Sequence, residues 1–122
     1  MKVTNLLFWV VDNKLSERFY KKLGFTLVRS DDSYSEVSLH DFRIGLVTVR
    51  DEAEFATDAF AGERGKGMYV YVKVENVDRK YAEVRELNIK VVAGPRTWSW
   101  GNREFVVKDP DGYKLCFWQP SE

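Results

Sequence analysis

Asp12 and Asn76 lie 64 residues apart in this chain, and so do Gly24 and Asn88. The first pair are short polar residues of the kind that cap the start of a helix. The second pair are residue types that enter the left-handed conformation and stop one. Leu23 with Leu87 and Phe25 with Ile89 repeat the same offset. Chemically equivalent starts and stops at one spacing point to two copies of one supersecondary unit, although few residues are identical.

The chain between these marks reads the same way twice. Residues 3–11 form a strand of β-branched and aromatic residues, with Asn5 out of character. Val3, Asn5, Leu7, Trp9 and Val11 share one of its faces. Asp12 or Asn13 then caps a helix running to Leu23, with Leu15, Phe19 and Leu23 as its buried stripe and Lys14, Glu17, Lys21 and Lys22 in water. Strands follow at 25–29, 34–39 and 42–48, with Asp31-Asp32 and His40-Asp41 as turns. Residues 50–67 break the pattern as a crossover, acidic at 51, 52, 54 and 58, with a helical turn near 52–55. A strand at 68–74, a helix at 77–87 capped by Asn76, and a strand opening at Val91-Val92 repeat the order.

A hairpin ends the chain. Residues 104–108 and 114–119 alternate polar and apolar side chains, and Asp109-Pro110-Asp111-Gly112 between them suits a type I turn closed by a glycine bulge. Just upstream, Trp98 and Trp100 flank Ser99 and precede Gly101. Ser99 suggests an extended segment that sends both indoles to one side. They either pad the end of a barrel or cover a ligand. The fold class expected is α+β: tandem βαβββ modules forming a cup-shaped mixed β-sheet with helices on the outer face. Module one is 1–49, the crossover 50–67 and module two 68–122, within a single domain.

Totals narrow the function classes. With 19 basic and 19 acidic residues in 122, the chain lacks the basic excess of a nucleic-acid binder. No apolar run approaches the ~20 residues of a membrane span. One cysteine, Cys116, allows no internal disulfide and suits a reducing compartment. The start of the chain lacks a signal-peptide pattern, so a cytoplasmic location is expected.

Strand parity assigns Asn5, Leu7 and Trp9 to the concave side, with Arg43, Gly45 and Val47, then Tyr69, Tyr71 and Lys73, and Lys114, Cys116 and Trp118. The opposite faces, with Val70, Val72, Val74, Leu115 and Phe117, pack on the helices. An aromatic concave face with a few hydrogen-bonding groups is the composition of a pocket for a flat organic ligand, or of a narrow barrel filling itself. No nucleophile and base are paired. Cys116 has no histidine beside it and reads as a small buried residue, His40 as a solvated turn residue. Arg103 and Glu104 are adjacent on a strand and point to opposite faces.

Phe-Tyr-Lys-Lys-Leu-Gly-Phe at 19–25 and Asp-Pro-Asp-Gly at 109–112, in a tandem βαβββ chain of this length, resemble the vicinal oxygen chelate superfamily over the whole chain. The superfamily includes glyoxalase I, extradiol dioxygenases and fosfomycin- and bleomycin-resistance proteins. Trp100-Gly101-Asn102-Arg103-Glu104-Phe105 is similar to the Trp-Gly-Arg-Glu-Phe segment of the bleomycin-resistance branch, with Asn102 inserted. Residues 78–83 look like the start of that branch's second helix.

The metal-dependent members would place His, Glu or Gln where this chain has Asn5, Gly45, Tyr69 and Cys116, which implies no metal and no cofactor. The resemblance therefore implies non-catalytic sequestration of an aromatic small molecule, a cationic antibiotic included, with the alternative of a superfamily lyase or isomerase. Trp98 and Trp100 would stack a planar heterocycle, and the acidic run 51–58 would attract a cationic tail. The expected ligand-binding residues are Trp98, Trp100, Trp9, Asn5, Tyr69, Tyr71, Cys116, Trp118 and Arg43, with none catalytic. A homodimer is expected, since open sheet edges and aromatic surface call for a two-fold partner.

Overall fold

The computed structural model describes residues 1–49 and 63–121, which fall into two compact units, Met1–Glu63 and Arg64–Glu122. The helical turn and the acidic run expected in the crossover lie in 50–62, outside the described residues. Among the described residues each unit is a four-stranded mixed sheet with one helix, so the α+β class and the tandem βαβββ order are both present.

In the first unit β1 (Leu6–Val10) pairs parallel to β4 (Phe42–Thr48), which pairs antiparallel to β3 (Tyr34–Leu39), and β3 to β2 (Thr26–Ser30). Helix α1 spans Asn13–Leu23, with the Asp12 side chain accepting from the Lys14 N–H. At its other end Gly24, at φ 108°, lets the Gly24 and Phe25 N–H groups bond back to the Lys21 and Tyr20 carbonyls.

Three expectations shift here. Strand β1 begins at Leu6 rather than residue 3, because Asn5 turns to local hydrogen bonds: it accepts from the Thr4 hydroxyl at 2.7 Å and donates to the Leu6 carbonyl at 3.3 Å. Strand β2 starts one residue late because the Phe25 N–H is used to close α1. The buried face of α1 is also rotated. Phe19 and Leu23 are buried as expected, but Leu15 is 43% exposed, and Asn13, Ser16, Glu17 and Tyr20 are buried beside them.

Polar residues sit on that face because the sheet supplies their partners. The Asn13 N–H donates to Thr48 Oγ1 at 2.9 Å, which donates back to Asn13 Oδ1 at 2.7 Å. Asn13 Nδ2 donates to Ser35 Oγ at 2.8 Å, and the Ser35 and Ser30 hydroxyls donate to Glu17. A buried polar group costs little when so satisfied, and apolar periodicity alone cannot see it.

The second unit repeats the arrangement in the order β5-β8-β7-β6, built from β5 (Tyr69–Lys73), β6 (Val91–Thr97), β7 (Asn102–Lys108) and β8 (Lys114–Pro120). Helix α2 spans Val77–Glu86; Asn76 caps it by accepting from the Arg79 N–H, and Asn88 beyond its end holds φ 59°. The start of α2 is also tied to the sheet, the Val77 N–H donating to Gln119 Oε1 at 2.6 Å. Val77 and Val84 are fully buried, and Tyr81 meets Phe105 edge-on at 5.4 Å. Phe105 in turn stacks on Phe117 at 5.0 Å. In the last hairpin Asp109 is buried, and its Oδ1 accepts from the Asp111 and Tyr113 N–H groups at 2.9 Å each. Gly112, at φ 106°, closes the turn.

Candidate functional site

The alternation that buries Val70, Leu115 and Phe117 against α2 leaves Tyr69, Tyr71, Cys116, Trp118 and Glu104 on the other face of the second sheet. Register brings them together: Tyr71 pairs with Cys116, and Trp118 pairs with both Lys73 and Glu104. A hollow of about 740 Å³ opens on this face, lined by Tyr69, Tyr71, Arg96, Trp98, Trp100 and Glu104 among others.

Its wall is a three-layer stack. The Trp98 and Trp100 rings lie 4.6 Å apart at 9°, and the Arg96 guanidinium carbon lies 3.8 Å from the centre of the Trp98 ring. A guanidinium so close and a nearly parallel indole cannot occupy the same face of one ring, so Arg96 and Trp100 cover opposite faces of Trp98. The outer face of Trp100, a residue 59% exposed, is open. The linking segment is a turn rather than an extended stretch. The Gly101 N–H bonds to the Trp98 carbonyl at 3.1 Å, the Trp98 N–H to the Asn102 carbonyl at 2.8 Å, and Gly101 takes φ 95°. Both indoles do reach one hollow, but they stack on each other and not around a gap.

Beneath the stack lies Glu104, 5% exposed. Its Oε2 accepts from Trp100 Nε1 at 3.3 Å and Asn102 Nδ2 at 3.1 Å, and its Oε1 from the Tyr71 hydroxyl at 3.4 Å. The Cys116 thiol, with no exposed surface, lies against Glu104 and Tyr71. Burial, then the Glu104 charge, pushes the thiol up to about 12. Burial followed by Cys116 and Glu104 pushes the Tyr71 hydroxyl up to about 12 as well. Tyr71 is half exposed as a residue, but its hydroxyl is turned inward to the carboxylate. Both groups hold their protons at neutral pH.

Five of the expected residues thus meet here: Tyr69, Tyr71, Trp98 and Trp100 line the hollow, and Cys116 sits behind Tyr71. Trp118 stands beside Glu104, its ring approached by Lys73 Nζ at 5.5 Å. Asn5, Trp9 and Arg43 belong to the first unit. Asn5 and Arg43 line a polar hollow of about 780 Å³ with Glu36 and His40, in which Arg43 is ion-paired to Glu36 at 2.9 Å. His40 is exposed in its turn at φ 52°.

Glu104, Asn102 and Arg96 were not among the expected site residues. A signal for Glu104 existed. A hairpin pairing Lys108 with Lys114 sets Glu104 across from Trp118, on the same face. Arg103 does point the other way, to the Asp78 carboxylate of α2 at 2.9 and 3.0 Å.

Asn5, Gly45, Tyr69 and Cys116, where the resemblance would place metal ligands, fit a metal poorly. Gly45 offers no donor, and a β-carbon there would come within 2.8 Å of the Tyr34 hydroxyl. Cys116 is buried with its thiol protonated. No cluster of three or more His, Cys, Asp or Glu able to hold a metal occurs among the described residues. No helix among them is long and apolar enough to cross a membrane.

Residues 2–117 match the family model described as Glyoxalase/Bleomycin resistance protein/Dioxygenase superfamily. A bleomycin resistance protein from Geobacillus stearothermophilus is 32% identical over 124 residues, covering 90% of each chain, and one from Staphylococcus aureus matches equally. Among solved structures, a glyoxalase/bleomycin resistance protein/dioxygenase from Nocardioides has a TM-score of 0.80 at 22% identity, covering 100% of this chain and 85% of its own. An antibiotic binding protein from Streptomyces sp. CB03234 has a TM-score of 0.75 at 23% identity, covering 99% and 97%. The chain belongs to the glyoxalase/bleomycin resistance protein/dioxygenase superfamily.

Proposed function

We propose that this protein binds and sequesters a planar aromatic small molecule, of the antibiotic class, without altering it. The observation that carries this reading is the Arg96–Trp98–Trp100 stack, which presents one open indole face beside a hollow wide enough for a polycyclic ring. Relatives named for bleomycin resistance and a structural neighbour named as an antibiotic binding protein support the ligand class. The protonated Cys116 and Tyr71 favour binding over catalysis, since neither is poised as a nucleophile or base at neutral pH. Homodimerisation belongs to the same reading: Leu7, Val11 and Phe42 are exposed, and a second copy would cover such surface.

Titration with acridine and with bleomycin, followed by tryptophan fluorescence, tests the proposal. Saturable quenching by at least one, with the compound recovered unchanged by mass spectrometry, is the expected result. A modified compound would favour the superfamily lyase or isomerase. Light scattering at micromolar concentration tests the dimer, and a monomer would count against it.

A further inference from the structure

Among the described residues, the buried carboxylate of Glu104 takes its hydrogen bonds from neutral donors. Trp100, Asn102 and Tyr71 supply the hydrogen bonds between residues that the structure records for it, and the Cys116 thiol lies beside it. None of the ion pairs among the described residues includes it. A cation is nevertheless at hand. Arg96 stands directly across from Glu104 in the β6–β7 register, which puts the two side chains on one face of the sheet. Its guanidinium lies over Trp98 instead. A buried carboxylate gains most from a positive partner, since Coulomb forces are strong where water is excluded. Its Oε1 accepts at the long distance of 3.4 Å from Tyr71, so acceptor capacity remains on the side of the hollow.

We propose that Glu104 is the residue that determines ligand specificity, accepting a charge-assisted hydrogen bond from a cationic N–H at the edge of a planar ring stacked on Trp100. The link between ring and charge is geometric. The indole that offers its outer face donates its own Nε1–H to this carboxylate, so a ring lying over Trp100 has its edge near Glu104. The basic side chains around the hollow do not cancel the effect. Arg96 and Lys73 are exposed and Lys114, 5.7 Å from the Tyr69 ring centre, is half-buried, so water and salt screen all three more than the Glu104 charge, which acts from a buried position where Coulomb forces are stronger. The ligand class is therefore a planar aromatic bearing a protonated amine or amidinium.

This inference rests on the stacking reading above, and the test separates the two. Two probes share one tricyclic ring: 9-aminoacridine, an amidinium cation at neutral pH, and acridine, neutral at pH 7.5 and lacking an N–H. The wild-type protein is expected to bind the cation roughly tenfold or more tighter, the scale of one hydrogen bond to a charged group. Glu104→Gln keeps the size and one acceptor oxygen for the Trp100 N–H; within that variant the ratio of the two affinities should fall to near one, whatever its absolute affinity for acridine. Equal binding of both probes by wild type, or a preference that survives Glu104→Gln, overturns the role of Glu104 and leaves the stacking site standing. Binding of neither probe by wild type overturns this inference, and the bleomycin titration then decides the stacking reading. Should Glu104→Gln fail to fold, the wild-type ratio alone decides, a ratio near one overturning the inference.

Discussion

Trp98 lies between Arg96 and Trp100, so the two indoles have unequal roles although they share one hollow. Trp100 has a free face, and Trp98 has none beyond its edge. Trp100→Ala should therefore weaken acridine binding roughly tenfold, a stacking contact plus its buried area. Trp98→Ala removes only the support and should cost about threefold or less. Calorimetric titration of both variants checks the order. Equal losses would mean that a ligand parts the two rings and sits between them.

Cys116 should resist alkylation in the folded protein. It has no exposed surface and its thiol is pushed up to about 12, so neither access nor thiolate is available at pH 8. Iodoacetamide, followed by mass spectrometry, should label it only under denaturing conditions. Fast labelling of the native protein would show that the Tyr71–Glu104–Cys116 cluster opens.

The Glu17 carboxyl is held below the usual carboxylate value. Burial raises it, but the Ser30 and Ser35 hydroxyls and Lys14 together outweigh that effect. A depressed folded value means that its stabilisation is present above the unfolded pKa of about 4.3 and lost as pH falls through the folded one. Glu17→Gln should be less stable than wild type at pH 7, and the gap should shrink toward pH 3. Thermal melts across that range check the sign; a gap that stays constant would refute it.

Asp109→Ala should destabilise the second unit by roughly 1–3 kcal/mol, because the Asp111 and Tyr113 N–H groups lose a buried acceptor. Asp109→Asn keeps an acceptor oxygen and should lose less. Urea denaturation of the two variants checks the difference.

What could be read from the sequence, and what could not, follows from the range of the forces involved. Caps and stops are local: Asp12, Gly24, Asn76 and Asn88 act through backbone groups a few residues away, and all four perform as read. Strands β3 and β4 fall where the alternation set them. The face of α1 was misjudged because Asn13 and Glu17 are satisfied by Thr48 and Ser35, partners 35 and 18 residues away that no helical period reports. Glu104 was passed over for a related reason. Its significance comes from Trp100, Asn102, Tyr71 and Cys116 converging on it, and only Trp100 and Asn102 are its close neighbours in sequence.

The separation of faces in the second sheet bears on how such a protein can change over generations. Phe105, Leu115 and Phe117 hold the sheet to its helix side, while Tyr69, Tyr71 and Trp100 are half or more exposed on the other. Substitutions at the latter three leave the packed layer untouched, and those at Tyr69, or at Tyr71 and Trp100 where a donor to Glu104 is kept, need cost little stability, since surface changes seldom do. A lineage carrying this scaffold can therefore drift from one ligand to another by small steps, each still folded. Its binding repertoire is free to wander while its architecture stays fixed.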